Sequence, residues 1–388
     1  MSRSLTQLFA LDSLLTPEEI EVRATVRKFA AERIRPHIAE WFEAGRLPAR
    51  DLAVELGALG VLGMHLHGYD CAGMSATAYG LACLELEAVD SGIRSLVSVQ
   101  GSLAMFSIHH WGSEEQKQQW LPAMAAGRAI GCFGLTEPDH GSDPAGMRTR
   151  AVRDGRDWVL NGTKMWITNG SIADVAVVWA QTEEGIRGFV VPTDSLGFSA
   201  SDIRAKMSLR ASVTSELVLD DVRLPDSAVL PHAEGLRGPL TSLGEARFGI
   251  IFGAIGAARD CLETAIDYAQ TREVFDKPLA AYQLTQAKIA DMALEVGKGH
   301  LLAYHLGRIK DRGEITPEQV STGKLNNVRE ALAVARECRT ILGANGITLE
   351  YPVIRHANNL ESVLTYEGTS EVHQLTIGKA LTGSAAFR

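Results

Sequence analysis

The chain predicts a mainly α-helical fold with a β domain in its middle, and three observations carry that prediction. Helical periodicity runs from about Thr16 to Gly127. Short β-branched runs between polar turns follow from Ala129 to about Arg237. After Pro239 the helical pattern returns for good. The expected domains are therefore 1–128, 129–237 and 238–388.

Each element has its own local warrant. Thr16-Pro17-Glu18-Glu19 reads as an N-cap with Pro in the first turn and a capping-box Glu, and Val22, Val26, Phe29 and Ala30 then recur at helical spacing. Ser113–Gln116 opens a second helix the same way, with Gly127 as its stop. In the middle, Ala176–Trp179 and Gly188–Val191 are β-branched or aromatic runs, and Asn161-Gly162 between two apolar triplets predicts a hairpin turn. Gly249–Ala258 is too short to span a bilayer and fits a buried helix. Leu302, Leu306 and Ile309, and the breaker-poor stretch Glu318–Leu342, continue the helical part.

Composition narrows the function. With 388 residues, 46% hydrophobic, 22% charged and a mean hydropathy of +0.01, the chain is an ordinary globular one. A formal net charge of −9 argues against a general nucleic-acid binder, so an anionic ligand needs local arginines or helix N-termini. The opening segment, with its early Arg3, lacks a signal-peptide cleavage pattern. Five scattered cysteines, never in a CxxC pair, argue for a reducing compartment, expected to be the cytoplasm, and against a zinc site or disulfide frame. Neither a GxGxxG after a first strand nor a GxxxxGK[ST] is present, so Rossmann and P-loop binding find no support.

Several strings then converge in order. Phe133-Gly134-Leu135-Thr136-Glu137-Pro138 is followed by Gly141-Ser142-Asp143-Pro144, and Asn161-Gly162-Thr163-Lys164 by Trp166-Ile167-Thr168-Asn169. Arg272, Phe275, Gln283, Leu342–Gly346 and Tyr366-Glu367-Gly368-Thr369 complete the series. Together they resemble the acyl-CoA dehydrogenase family along nearly the whole chain. The resemblance implies an N-terminal helical domain, a middle β-barrel and a C-terminal four-helix bundle. It also implies a homotetramer, FAD as cofactor, an acyl-CoA substrate, an electron-transfer flavoprotein as oxidant, and neither a metal nor membrane insertion.

By the same resemblance Phe133, Leu135, Thr136, Ser142, Trp166, Ile167 and Thr168 contact the flavin, with Thr369 and Glu371 near it. Arg272, Phe275, Gln283, Leu342 and Gly343 hold the dinucleotide end across subunits. An always-charged, forked guanidinium suits a pyrophosphate. Two departures fall here: Asp276 and Ala344 stand where the family has glycines.

Glu367 is the expected catalytic base. Removing the α-proton of a thioester calls for a carboxylate in a dry pocket, where its proton affinity rises. Gly368 permits close approach of a ligand, and Thr369 is placed to cap the next helix. Some relatives carry the base at the position of Glu245 or Ala254. The substrate contacts implied are Arg94, Ser95, Ser98, Ser142, Arg247 and Gly368.

Within the family, Gly68–Gly73, Glu85–Gly92, Arg94-Ser95, Ser98–Gln100, Lys206–Ala211, Leu236–Pro239 and Arg355–Glu361 resemble the glutaryl-CoA dehydrogenase branch. There the matching Arg and a nearby Ser hold a distal carboxylate, which requires a charge-assisted partner when buried. The bland reading makes Arg94 a surface ion-pair partner of Glu87 or Asp90. Ile93, Met64–His67 and Ser370–His373 depart from that branch and leave open another dicarboxylyl or a branched acyl thioester, on CoA or a carrier protein. A flavin monooxygenase and a non-catalytic paralogue are the rivals from other classes.

Overall fold

The computed structural model describes residues 4–386. Arg3, part of the opening segment read above, lies outside the described residues.

The capping boxes form as their sequences dictate. Thr16 Oγ1 accepts from the Glu19 amide and Glu19 returns the bond to the Thr16 amide, opening helix Pro17–Phe29. Ser113 and Gln116 do the same for Glu114–Ala125, and Gly127 follows with φ +69°. Between them, helix Ala76–Glu87 is buried almost throughout and precedes Ser91–Ser98, which runs on through a π-helical stretch, Val99–Met105.

The middle domain is a curled half-barrel sheet. Its strands are β1 (Gly131–Gly134), β2 (Arg150–Asp154), β3 (Asp157–Thr168), β4 (Val175–Thr182), β5 (Gly185–Pro192), β6 (Phe198–Asp202) and β7 (Thr214–Pro225). They lie in the order β1-β4-β2-β3-β7-β6, with β5 antiparallel to β4. The Asn161-Gly162 hairpin expected from sequence does not form. β3 runs straight through it, and the pairing with β7 slips there. Gly162, at φ +151°, lies against Thr149, while Asn161 exchanges two hydrogen bonds with Asp221 across the strands. The dipeptide makes a bulge, and the actual turn is at Gly155, between β2 and β3.

The C-terminal part is built from helices Arg237–Thr271, Gln283–Asp311, Pro317–Ile341, Val353–Thr365 and Ser370–Thr382. The apolar run Gly249–Ala258 is fully inside the first of these. That helix crosses Ala76–Glu87 closely, so one face of each domain's central helix shares a core that includes Tyr79, Cys83, Phe248 and Phe252.

Candidate active site

The crossing of those two helices sets the inner wall of the site. Tyr79, Cys83 and Glu87 follow one another at four-residue spacing on Ala76–Glu87, one stripe of a helix. Arg94, Ser98 and Ser102 do so on the next helical segment. Gly253 presents no side chain to this stripe, and a Cβ there would stand 2.0 Å from Glu87 Oε2. The space serves the carboxylate: Glu87 is fully buried and accepts from Arg94 Nε at 2.7 Å.

Arg94 is therefore not a surface residue; it is 0% exposed. Of the two partners weighed from sequence it takes Glu87, because Asp90 is engaged by Arg355, Asn359 and the Gly92 amide. Its Nη2 donates to the Tyr366 hydroxyl. One turn on, Ser98 Oγ is buried with no hydrogen-bond partner. An unpartnered hydroxyl beside a buried guanidinium is what an incoming anion needs.

The segment Tyr366–Thr369 joins two helices. Thr369 caps Ser370–Thr382 by accepting from the Val372 amide. To reach that cap the chain bends through Glu367 at φ +54° and Gly368 at φ +100°. The left-handed region is costly for a residue with a Cβ and is held only by its surroundings. Gly368 cannot be replaced cheaply, since a Cβ would lie 2.9 Å from His373 Nε2. Arg247 Nε donates to the Glu367 carbonyl oxygen at 2.6 Å. Lys324 Nζ donates to those of Tyr366 and Gly368.

The Glu367 carboxylate has a solvent-shielded Oε2 without a partner. Burial pushes its pKa upward, and the positive charges of Arg94, Lys324 and Arg247 work against that push. The result is a carboxylate of raised basicity in a dry place, suited to taking a proton from carbon. Glu245, the alternative base position, is instead tied to Lys310 at 2.6 Å and lies 3.8 Å from His65.

The residues expected to face the flavin sit on β1, β3 and the loop after β1. Lys164, fully buried on β3, donates to Glu137 Oε1 at 2.8 Å and to the Leu135 carbonyl at 3.0 Å. Glu137 also accepts from the Arg148 and Thr149 amides. Burial would raise its pKa, but these partners hold it down to about 2. This pairing pins the Phe133–Pro138 string to the strand, helped by the Met165 amide donating to Thr136 O at 2.8 Å.

A second irregularity in β3, between Lys164 and Ile167, re-aims a ring. Trp158, Leu160 and Lys164 point inward, but after the irregularity Ile167 does. A slip of one residue swaps faces. Trp166, at φ +64°, is thereby left outside and 60% exposed. An indole facing out beside half-buried Thr136 and Thr168 supplies a flat apolar wall and hydroxyl donors, which fits an isoalloxazine ring.

Arg272, Phe275 and Gln283 cluster elsewhere, around the hairpin of β8 (Glu273–Val274) and β9 (Lys277–Pro278). All three are exposed, Phe275 by 88%. Phe275 and Asp276, the two loop residues, both have positive φ, 49° and 63°. That is a mirror-image two-residue turn, in which Asp is tolerated where Gly is commonest, so the departure at Asp276 preserves the turn. Gly343 is exposed at φ +58°, Leu342 is buried, and Ser142 and Glu371 are exposed. Arg94, Ser98, Arg247, Glu367 and Gly368 are brought together with buried Ser95 close by on the same helix; Arg272, Phe275, Gln283, Leu342 and Gly343 lie on other elements.

Sequence reasoning passed over Lys324, Tyr366 as a side chain, Tyr79 and the Glu137–Lys164 pair. Lys324 had one available signal. It falls in phase with Val320, Ser321, Asn327, Val328 and Ala331, the buried face of its helix.

A three-part helical, β, helical chain with a buried carboxylate, a buried guanidinium and an outward indole beside two threonine hydroxyls fits a flavin-dependent oxidoreductase of acyl thioesters. The chain belongs to the acyl-CoA dehydrogenase family: residues 16–128 match its N-terminal domain, 132–222 its middle domain and 233–382 its C-terminal domain. More particularly, it is similar to glutaryl-CoA dehydrogenase from Mycobacterium smegmatis, 73% identical over the whole of both chains with a TM-score of 0.99. A glutaryl-CoA dehydrogenase from Mycobacterium smegmatis in complex with FADH2 superposes with a TM-score of 0.99 at 70% identity, again over the whole of both chains. The human mitochondrial short-chain specific acyl-CoA dehydrogenase is 35% identical, covering 93% of this chain and 89% of the relative. FAD is the cofactor. Among the described residues the five cysteines are all free, and no helix is long and apolar enough to cross a membrane.

Proposed function

We propose that this chain dehydrogenates glutaryl-CoA at its α,β bond, with Glu367 as the base and Arg94 holding the distal carboxylate. The observation that carries the reading is the fully buried Arg94 beside the Tyr366–Glu367 segment, with the unpartnered Ser98 hydroxyl one turn away. A monocarboxylic acyl chain makes no use of the donors that Arg94 and Ser98 offer beside the Glu87 ion pair, whereas a distal carboxylate does. The high identity to a glutaryl-CoA dehydrogenase supports the same substrate.

In this reading Glu367 accepts the α-proton at its unpartnered Oε2. Arg94, steered by Glu87 and Tyr366, fixes the far end of the acyl chain and so sets which C–H faces the base. FAD, when bound, would supply the acceptor for the hydride leaving the β-carbon. Thr136, Trp166 and Thr168 would hold its ring, and Arg272 and Gln283 would take its phosphates from a neighbouring subunit. The exposed Leu284, Leu294 and Leu301 along one helix support a homo-oligomer, a tetramer in our reading. Loss of CO2 then gives crotonyl-CoA, and an electron-transfer flavoprotein reoxidises the enzyme.

The test is a panel of CoA thioesters with an artificial electron acceptor. Glutaryl-CoA is expected to give the highest kcat/KM and to release CO2. A preference for butyryl-CoA would overturn the substrate while leaving the family assignment in place.

A further inference from the structure

Three consecutive carbonyl oxygens, those of Tyr366, Glu367 and Gly368, are each taken by a buried or half-buried cation. Arg247 Nε holds the middle one at 2.6 Å, and Lys324 Nζ holds the outer two at 2.5 and 2.7 Å. Lys324 is 1% exposed, and no carboxylate lies within 4.0 Å of its ammonium among the described residues. Burying an ammonium is costly: desolvation pulls the Lys324 pKa down to about 7, and the facing Glu367 carboxylate is what works against that pull. A neutral amide could tie two carbonyls together without that cost, so the charge itself has to contribute something.

What the charge faces is the base. The groups around Glu367 come from every element packed on it: Glu87 and Cys83, Arg94, Arg247, Lys324, Tyr366, and His373 on the following helix. His373 adds no charge near neutrality, since burial and the two neighbouring cations pull its pKa down to about 3. Glu87 is matched by Arg94. Arg94, Lys324 and Arg247 are the cations that oppose the burial of the Glu367 carboxylate, and of these Lys324 and Arg247 also hold its backbone.

We propose that Lys324 is a positioning residue for the base. Its ammonium locks the Tyr366–Gly368 backbone into the left-handed bend that aims the carboxylate, and its charge keeps that carboxylate ionised. The proposal rests on the reading of Glu367 as the base. Burial of the carboxylate raises its pKa and the Lys324 charge lowers it wherever the ammonium is protonated, below about 7, so removing the charge moves the base limb to higher pH.

The experiment compares FAD-loaded wild type, Lys324→Met, Lys324→Arg and Glu367→Gln. Two readouts are followed against pH: anaerobic bleaching of the flavin by glutaryl-CoA, and the infrared band of the protonated Glu367 carboxyl, assigned by its absence in Glu367→Gln. Lys324→Met is expected to bleach on the order of tenfold to hundredfold more slowly at neutral pH, with part of the loss recovered at higher pH. Its infrared midpoint should move up by about one pH unit, while FAD content and CoA-thioester affinity stay within about threefold. Lys324→Arg keeps the charge, and it serves if the methionine enzyme does not fold: its midpoint should stay at the wild-type value although its rate falls. An unmoved midpoint in Lys324→Met overturns the proposal. So does a midpoint in Lys324→Arg displaced upward, or a loss of rate that follows loss of FAD. If Glu367→Gln bleaches normally, the base assignment itself is wrong; if it is silent while Lys324→Met behaves as wild type, only the role of Lys324 falls.

Discussion

Arg94 Nε and Glu87 Oε2 are 2.7 Å apart, both side chains at most 1% exposed. The pair spans two helices and leaves Glu87 Oε1 and the nearby Ser98 Oγ without partners. An ion pair so placed is a socket: the Ser98 hydroxyl and the guanidinium can donate to a ligand carboxylate, while the open Glu87 oxygen, an acceptor, cannot.

Replacing Arg94 by Ala should change specificity, and because it leaves Glu87 buried and unpaired it should also lower stability by about 3–5 kcal/mol. Losing one partner of a desolvated charge contact costs about 2–5 kcal/mol, so kcat/KM for glutaryl-CoA is expected to fall roughly thirty-fold or more. Butyryl-CoA, with no distal charge, should lose far less. Steady-state kinetics on both substrates give the ratio, and equal losses would make Arg94 purely structural.

Gly253→Ala tests the same socket from the opposite wall. The added Cβ would meet Glu87 Oε2 at 2.0 Å, so the carboxylate has to move off Arg94. Helix propensity alone favours the alanine by about 1 kcal/mol. The expected net result is a lower ratio of glutaryl-CoA to butyryl-CoA turnover together with a lower urea midpoint. An enzyme at least as stable as wild type with an unchanged ratio would show that Glu87 does not orient Arg94.

Arg272→Ala bears on the cofactor. The residue is exposed at the foot of the β8–β9 hairpin, where its guanidinium is available to a phosphate. Gel filtration should strip FAD from the variant several-fold faster, while turnover of the fully reloaded enzyme stays within about threefold of wild type. Flavin absorbance per polypeptide measures the first. Wild-type retention would exclude a pyrophosphate role.

Acid stability should fail in two stages. Burial pulls His300 down to about 3 and His65 to about 4 from an ordinary 6.5. Both are neutral in the fold but protonate when unfolded, so their contribution is complete above about 6.5 and declines as pH falls below it. Glu85 follows. Burial would raise its pKa, but Arg259 and Arg27 outweigh that and hold it down to about 2, so its contribution is lost from about 4.5 downward. Glu85→Gln should remove the lower stage and destabilise at neutral pH by about 3–5 kcal/mol, because Arg259 is left buried and unpaired. Urea midpoints across pH 7 to 2 would show it; a flat profile contradicts the account.

The sequence was readable where physics is local. The Thr16 and Thr369 caps and the burial of Gly249–Ala258 follow from a few neighbouring residues. Asn161-Gly162 misled because the same φ > 0 permissiveness serves a hairpin turn and a bulge. Only the partner strand, through Thr149 and Asp221, decides between them. Lys324 was passed over because lysine is so often solvated, and its role depends on carbonyls more than forty residues away.

The clamp on those carbonyls also constrains how such an enzyme can change over generations. Exchanging Glu367 for a neutral residue strands two cations that were tolerated only because an anion faced them. A lineage that moves its carboxylate to another helix must therefore revise positions 324 and 247 as well, and in a compatible order. The three sites form an epistatic unit, in which the fitness of any one substitution is defined only by the state of the other two.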